Sequence, residues 1–343
     1  VSYRPHDLWL ITGGRASILV DKRAALVFAA LTLIILVSVF VALTLGSSPL
    51  ALREVVDAMR GGGDEATAMI LFEIRLPRMV ATLVAGFALG LSGCISQTVF
   101  GNRLAAPDVL GINEGATLAI VAFVTCSAGG AWPFWIAPLG SLLAVAILYK
   151  VCAAGREHGA VLLIGGICVT EFLRSIVELL MSLGALHEVQ NVYVWLQGSF
   201  IGQGYDTALP VLALLGLSLP LLLWLSRYLE LLRLPASIVT SLGVDVGLLE
   251  RLCVGSVAVL AALGASIGGP VAFVAMASPV LVSSLVRGRT PALWCSGLLG
   301  AAVLLLSDTI ARSIAPQEIA AGIVTRILGG CFLLYLLIKD EPR

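Results

Sequence analysis

Apolar residues run along this chain in long blocks and do not alternate with polar ones. A helix that crosses a membrane needs roughly 20 such residues to cover a hydrocarbon core of about 30 Å. Blocks of this kind occupy 24–45, 77–99, 108–126, 132–151, 161–183, 208–226, 249–267, 271–287, 292–311 and 321–338. They predict an all-α polytopic membrane protein with about ten transmembrane helices. The eighth block is the shortest and is fenced by Gly268-Gly269-Pro270 and Arg287, which predicts a tilted or broken helix. Arg4, Arg15, Lys22 and Arg23 precede the first block. That pattern resembles a signal peptide, but the block is long enough to span, so we read it as a retained first helix. The expected organisation is an N-terminal segment 1–23, a ten-helix domain 24–338 and a short tail 339–343.

The stretch from Arg75 to Ala116 departs most from a generic span. Arg75 and Arg78 flank Pro77 at its start, where a proline suits the first turn of a helix. Ala81, Ala85, Gly86, Gly90 and Gly93 follow and leave room for neighbouring helices to approach closely. The polar turn Gly101–Asp108 is expected to be held against protein, because bare backbone does not survive facing lipid.

Composition agrees with a membrane assignment: 59% of the 343 residues are hydrophobic and 12% are charged. A soluble domain carries roughly a quarter charged residues. The net charge is zero, so no overall field points to nucleic acid. The distribution of charge is more informative. With the N-terminus inside, fourteen basic residues fall on the inner side and five on the outer side (Arg53, Arg60, Arg75, Arg78 and Arg312). This bias predicts cytoplasmic termini. Seven cysteines are scattered singly, and three histidines show no metal-ligand spacing, so neither a disulfide framework nor a metal site is expected. There is no GxxxxGK[ST], GxSxG or HExxH motif, which argues against a nucleotide site of the P-loop kind and against an enzyme.

Three charges interrupt the fifth block. Glu171, Arg174 and Glu178 are spaced to share one helical face. Glu171 lies ten residues into the block, about 15 Å deep at a rise of ~1.5 Å per residue. Charge at that depth marks either a functional path or an ion pair that locks helices together. Asp308 and Arg312 are four apart, which suits a local pair; alternatively, Arg312 joins Arg75 and Arg78 as a third outer arginine able to receive a carboxylate. The inner segment 227–248 mixes apolar and polar residues at helical spacing. It either packs on the rest of the chain or forms a partner's docking surface.

These segments together resemble the FecCD-type permeases, membrane subunits of ABC importers for iron–siderophores, haem and cobalamin. The likeness runs from about residue 25 to 338. It is carried by Arg75-Leu76-Pro77-Arg78, by Gly93 and Gln97 ahead of Asn102–Gly111, and by Gly115-Ala116. Trp195-Leu196 with Gly198-Ser199, Leu242-Gly243-Val244, Gly269-Pro270 with Phe273-Val274, Asp308–Arg312, and Glu318 with Gly322–Thr325 follow in order. The resemblance implies a type II ABC importer permease architecture. It implies a dimeric permease with the path between subunits, two separate ATP-binding subunits, and an extracytoplasmic substrate-binding protein. By the same resemblance Arg75, Arg78 and Arg312 would receive the binding protein. Leu234, Pro235, Ala236, Ser237, Leu242 and Gly243 would lie in the segment that docks on the ATPase. Gln97, Asn102, Glu171, Arg174 and Glu178 are the path candidates. The cargo most like the pattern is a ferric siderophore, with haem or cobalamin as alternatives, and no resident cofactor or metal is implied.

Departures from the family pattern are concentrated on the inner side and in the turn after the second span. Leu234-Pro235-Ala236-Ser237 stands where Leu-Gly-Asp/Glu is usual, and Pro279-Val280-Leu281-Val282-Ser283 where Pro-His-x-x-Arg is usual. Asn102-Arg103-Leu104-Ala105 replaces Asn-Pro-Leu-Ala, and Glu318-Ile319-Ala320 replaces Glu-Leu-Pro. They suggest the divergent half of a heterodimeric permease. An ion-coupled secondary transporter using Glu171 and Glu178 is the competing class.

Overall fold

Each apolar block folds as a helix, because a chain in lipid must satisfy its own N–H and C=O groups. The computed structural model describes residues 8–13, 16–46, 48–62, 64–126, 133, 135–152, 159–183, 192–286, 292–314 and 319–339. Arg4, Arg15, Arg156, Arg287, Arg289, Glu318, the three histidines and the tail from 340 onward, all used in the sequence reading, lie outside the described residues.

The order begins with β1 (Leu8–Gly13) and β2 (Ala16–Asp21), an antiparallel hairpin pairing Leu8 with Asp21. The long helices are α1 (Lys22–Thr44), α4 (Leu76–Val99), α5 (Ile112–Cys126), α6 (Ile136–Cys152) and α7 (Gly159–Leu183). They continue with α8 (Tyr205–Tyr228), α10 (Val246–Gly268), α11 (Val274–Leu285), α12 (Leu293–Ile314) and α13 (Ala321–Lys339). Short helices α2 (Leu52–Met59) and α3 (Glu65–Met69) follow α1, and α9 (Ala236–Ser241) lies between α8 and α10. The ten long helices correspond in order to the ten apolar blocks. By length and composition alone, α1, the run ending in α4, α8, α10 and α12 can each cross a membrane.

Three features bear on the sequence reading, and the third agrees with it. The N-terminal segment was expected only as a polar lead, yet it holds the hairpin. The Asp21 side chain then accepts a hydrogen bond from the Arg23 N–H at the start of α1. Secondly, Pro77 lies in the first turn of α4, as its position suggested, but the chain is already helical upstream of it. The helical run begins at Glu65 and widens into a π-helical turn over Ile70–Arg75, where the Leu76 N–H bonds to the Leu71 carbonyl. Thirdly, the eighth block is a helix of only 12 residues, preceded by Phe273 at φ 70° and containing Pro279. This last outcome is the broken element that the flanking Gly-Gly-Pro suggested.

α4 is the centre of the bundle, with α10, α11 and α12 packed on it. The small residues noted in the sequence permit this. A Cβ on Gly90 would lie 2.1 Å from the Ser296 carbonyl oxygen of α12, and one on Gly93 1.7 Å from that of Ala275 in α11. The main core joins α4, α10 and α8 through buried residues such as Leu89, Ile95, Leu222, Val257 and Leu260.

Candidate functional site

Two charged constellations and one exposed segment hold all the sequence-predicted site residues but Gln97 and Asn102. The first lies where α4, α12 and the end of α1 meet. An α-helix leaves its last four carbonyls without internal partners, at the negative end of its dipole. α1 ends at Thr44, and arginines from elsewhere satisfy its terminal carbonyls. Arg75 donates through Nη1 to the Leu43 carbonyl and through Nη2 to the Ser48 carbonyl. Arg312 Nη2 donates to the Ala42 carbonyl at 3.4 Å. Arg78, in the first turn of α4, grips Asp308 of α12: its Nε lies 3.2 and 3.1 Å from the two carboxylate oxygens and its Nη2 2.9 Å from Oδ1. Arg312 closes the group with its Nε 3.2 Å from Asp308 Oδ2.

The structure therefore brings Arg75, Arg78 and Arg312 together, as the sequence reading grouped them. It also buries them: Arg75 and Arg78 are each 4% exposed, Arg312 is 5% exposed and Asp308 is fully covered. The Asp308–Arg312 pair is real, but it is only half of a two-arginine arrangement. The cross-helix partner, 230 residues away in the chain, could not be read from local spacing.

The second constellation lies within the spans. Arg174 of α7 donates from Nε and Nη2 to Glu114 Oε1 of α5, at 3.2 and 3.0 Å, and from Nη1 to Glu171 Oε1 at 3.1 Å. Glu178 lies two turns beyond Glu171 on α7 and is also exposed. Despite their depth, these groups are not covered by the rest of the chain: the Arg174 side chain is 46% exposed and that of Glu171 62%. Asp108, in the turn before α5, accepts from the Asn113 side chain and lies within electrostatic range of both Glu114 and Arg326. Arg326, five residues into α13, is exposed and donates to Gln197 Oε1 at 3.0 Å and to the Leu196 carbonyl at 3.2 Å. Glu114 and Arg326 were not taken as path candidates from sequence, nor was Gln197 singled out. The rule that marked Glu171 would have found the first two, since each is an ionisable residue inside an apolar block.

Gln97 and Asn102 have local roles. The Gln97 amide donates to the Met276 carbonyl at 2.9 Å, which ties α4 to the short helix α11. Asn102 Oδ1 accepts from the Leu104 N–H and so shapes the turn. That turn is held against protein over Ala105–Pro107, which are buried, while Gly101–Leu104 are exposed. α7 supports it closely: a Cβ on Gly166 would sit 2.4 Å from the Val109 carbonyl oxygen.

The third feature is the segment joining α8 to α10. A single 3₁₀ turn (Leu231–Arg233) leads through Pro235 into α9, which Gly243 terminates at φ 80°. Val239 is buried and anchors the helix. Leu234, Pro235, Ala236, Ser237, Ile238, Leu242 and Gly243 are exposed. A segment that packed wholly on its own chain would not leave three large aliphatic side chains uncovered.

Comparison with known proteins places this geometry. The model of the FecCD transport family matches residues 33–339. An iron(3+)-hydroxamate import permease, FhuG of Bacillus subtilis, is 30% identical over 330 residues, covering 93% of this chain and 98% of its own. The Fe(3+) dicitrate permease FecD of Escherichia coli is 30% identical, over 93% of this chain and 99% of its own. A cobalamin import permease, BtuC of Halobacterium salinarum, is 31% identical over 82% and 77%. Among solved structures, an inward-facing metal-chelate-type ABC transporter superposes with a TM-score of 0.82 at 24% identity, covering 92% of this chain and 99% of that one. At that identity the likeness speaks for the fold alone. With a family model and curated relatives that match nearly end to end, this chain belongs to the FecCD transport family.

Proposed function

We propose that this chain is a permease subunit of an ATP-driven importer that carries a ferric siderophore inward across the cytoplasmic membrane. The observation that carries the reading is the Glu114–Arg174–Glu171 group within the helices, in which Arg174 and Glu171 are exposed and Glu114 is half-buried. Charges there cannot be left against lipid, so this face lines a water-filled path or meets a second subunit. Both follow if the path runs between two permease chains. The names of the hydroxamate and dicitrate permeases supply the cargo class; cobalamin is the alternative that other relatives favour.

In this reading the end of the bundle bearing Lys22, Arg227 and Arg251 is cytoplasmic, as the basic bias favours. The exposed face of α9, with Leu234, Pro235, Ala236, Ser237, Leu242 and Gly243, docks on one of two ATP-binding subunits. The second permease subunit is a paralogue that keeps the motifs this chain lacks. Arg75, Arg78 and Arg312 serve an extracytoplasmic binding protein through their field: Asp308 pairs with Arg78 and Arg312 while Arg75 sits on backbone carbonyls, so three guanidinium groups stand beside one carboxylate and the surplus charge attracts acidic residues. No step of ATP chemistry is assigned to this chain.

The test is reconstitution of the chain with its genomic neighbours in liposomes and measurement of radiolabelled ferric siderophore uptake. Uptake that requires internal ATP and survives collapse of the proton gradient supports the proposal. Uptake that fails without the gradient yet survives ATP depletion assigns the chain to ion-coupled transport. A homodimer of this chain that couples ATP hydrolysis to uptake unaided refutes the heterodimer.

A further inference from the structure

Away from both charged constellations, helices α6, α8 and α10 leave an open groove of about 270 Å³ between them. Its walls are aliphatic: Leu142 from α6, Leu221 from α8, and Leu252, Val259 and Leu260 from α10. Two serines also line it, but neither offers a free hydrogen atom to a ligand. Ser218 donates to the Leu215 carbonyl at 2.7 Å and Ser256 to the Leu252 carbonyl at 2.8 Å, each within its own helix. A Cβ built on Gly255 would meet no atom within 4 Å, so the groove is open at that point. A water-soluble, polar ligand would find no partner along these walls.

The rim is different. Arg251 stands at one end of the lining, and the same end of the other two helices carries Lys150, in the last turn of α6, and Arg227, in the last turn of α8. All three side chains are exposed, and none has a carboxylate within ion-pair distance among the described residues. The nearby acids are otherwise engaged in part: Asp245 caps the Leu248 N–H at 3.0 Å, and Glu250 has a partner of its own. Trp224 and Tyr228, with ring centroids 4.5 Å apart on α8, flank Arg227 as aromatic pairs do at a membrane surface. From Arg251 to Leu260 the groove follows ten residues of α10, nine steps or about 13 Å at ~1.5 Å per residue. That is close to one leaflet of a hydrocarbon core about 30 Å thick.

A cationic rim at the interface above a dry channel one leaflet deep matches one ligand chemistry. We propose that this groove holds an acyl chain of an anionic phospholipid, whose phosphate is held by Lys150, Arg227 and Arg251. The proposal rests on the membrane reading of the bundle and not on the cargo or the ATPase.

The experiment is native mass spectrometry of the chain purified with its partner subunits, titrated with dioleoylphosphatidylglycerol or dioleoylphosphatidylcholine. The expected result is a phosphatidylglycerol adduct that resists collisional removal, with phosphatidylcholine retained at least fivefold less. The triple variant K150Q/R227Q/R251Q alters exposed positions only, so it should fold; it loses the preference between the two lipids. Gly255→Leu fills the open point and reduces retention of both. Equal retention of the two lipids by the wild-type complex overturns the proposal, as does an adduct that both variants leave unchanged. So does efficient cross-linking of a Gly255→Cys variant to a partner subunit, since the groove would then be an interface. Loss of ATP-dependent uptake in a preparation that keeps its adduct counts against the importer reading and supports this one.

Discussion

Replacement of Asp308 by alanine removes the carboxylate to which both Arg78 and Arg312 are bound, and the structure sets the scale of the loss. Arg78 approaches it with contacts of 2.9, 3.1 and 3.2 Å, and Arg312 adds an ion pair at 3.2 Å. Removing one member of a buried pair costs about 3–5 kcal/mol, because the remaining charge stays buried without compensation. Here two guanidinium groups, 4% and 5% exposed, lose the same partner, and Arg75 stands nearby with its own charge. The expected loss for Asp308→Ala is therefore at the upper end of that range. Asp308→Asn keeps one acceptor oxygen and should cost less, about 2–3 kcal/mol. A triple variant R78M/D308L/R312M removes the charges along with their desolvation cost and should recover most of the loss. The assay is reversible unfolding in mixed dodecyl maltoside and SDS micelles, followed by tryptophan fluorescence. A D308A protein within about 1 kcal/mol of wild type would refute the argument that this cluster holds α1, α4 and α12 together. A triple variant no better than D308A would show that shape, not charge, is what matters.

Gly90→Val places a branched side chain where even a Cβ lies 2.1 Å from the Ser296 carbonyl oxygen. It should cost about 1–3 kcal/mol in the same assay, while Gly255→Ala, which meets nothing within 4 Å, should change little. Arg174→Gln leaves Glu114 and Glu171 facing each other without their shared cation. Assembly should be unaffected and uptake should fall several-fold, with partial recovery in the R174Q/E171Q double variant; unchanged uptake would remove these residues from the path. L234D/L242D alters exposed side chains only, so thermal stability should persist while co-purification of an ATP-binding subunit is lost. If the outer arginines act through their field, the association rate of a binding protein should fall steeply between 50 and 500 mM salt, as a screened interaction does.

Much of this protein was legible in one dimension. The number and order of the long helices follow from apolar run length, because the bilayer imposes a single requirement on every segment that crosses it. The close approach of α4 to its neighbours was foreshadowed by Gly86, Gly90 and Gly93, since lack of bulk is a property each residue carries wherever it is placed. The position of Glu171 and Arg174 midway along one apolar helix was equally plain from the sequence. Tertiary structure alone decided which charges meet. Arg78 finds Asp308 across 230 residues, and Arg174 finds Glu114 across 60; no periodicity records such pairings, because they depend on how whole helices are placed. The same placement turned three arginines grouped as an outer surface into a buried cluster, in which Arg75 and Arg312 cap carbonyls of α1 and Arg78 holds Asp308. Pro77 and the N-terminal hairpin belong to this second class as well. A proline's missing N–H can be accommodated by opening a helix or by a π turn upstream, and the choice between them depends on what the helix packs against.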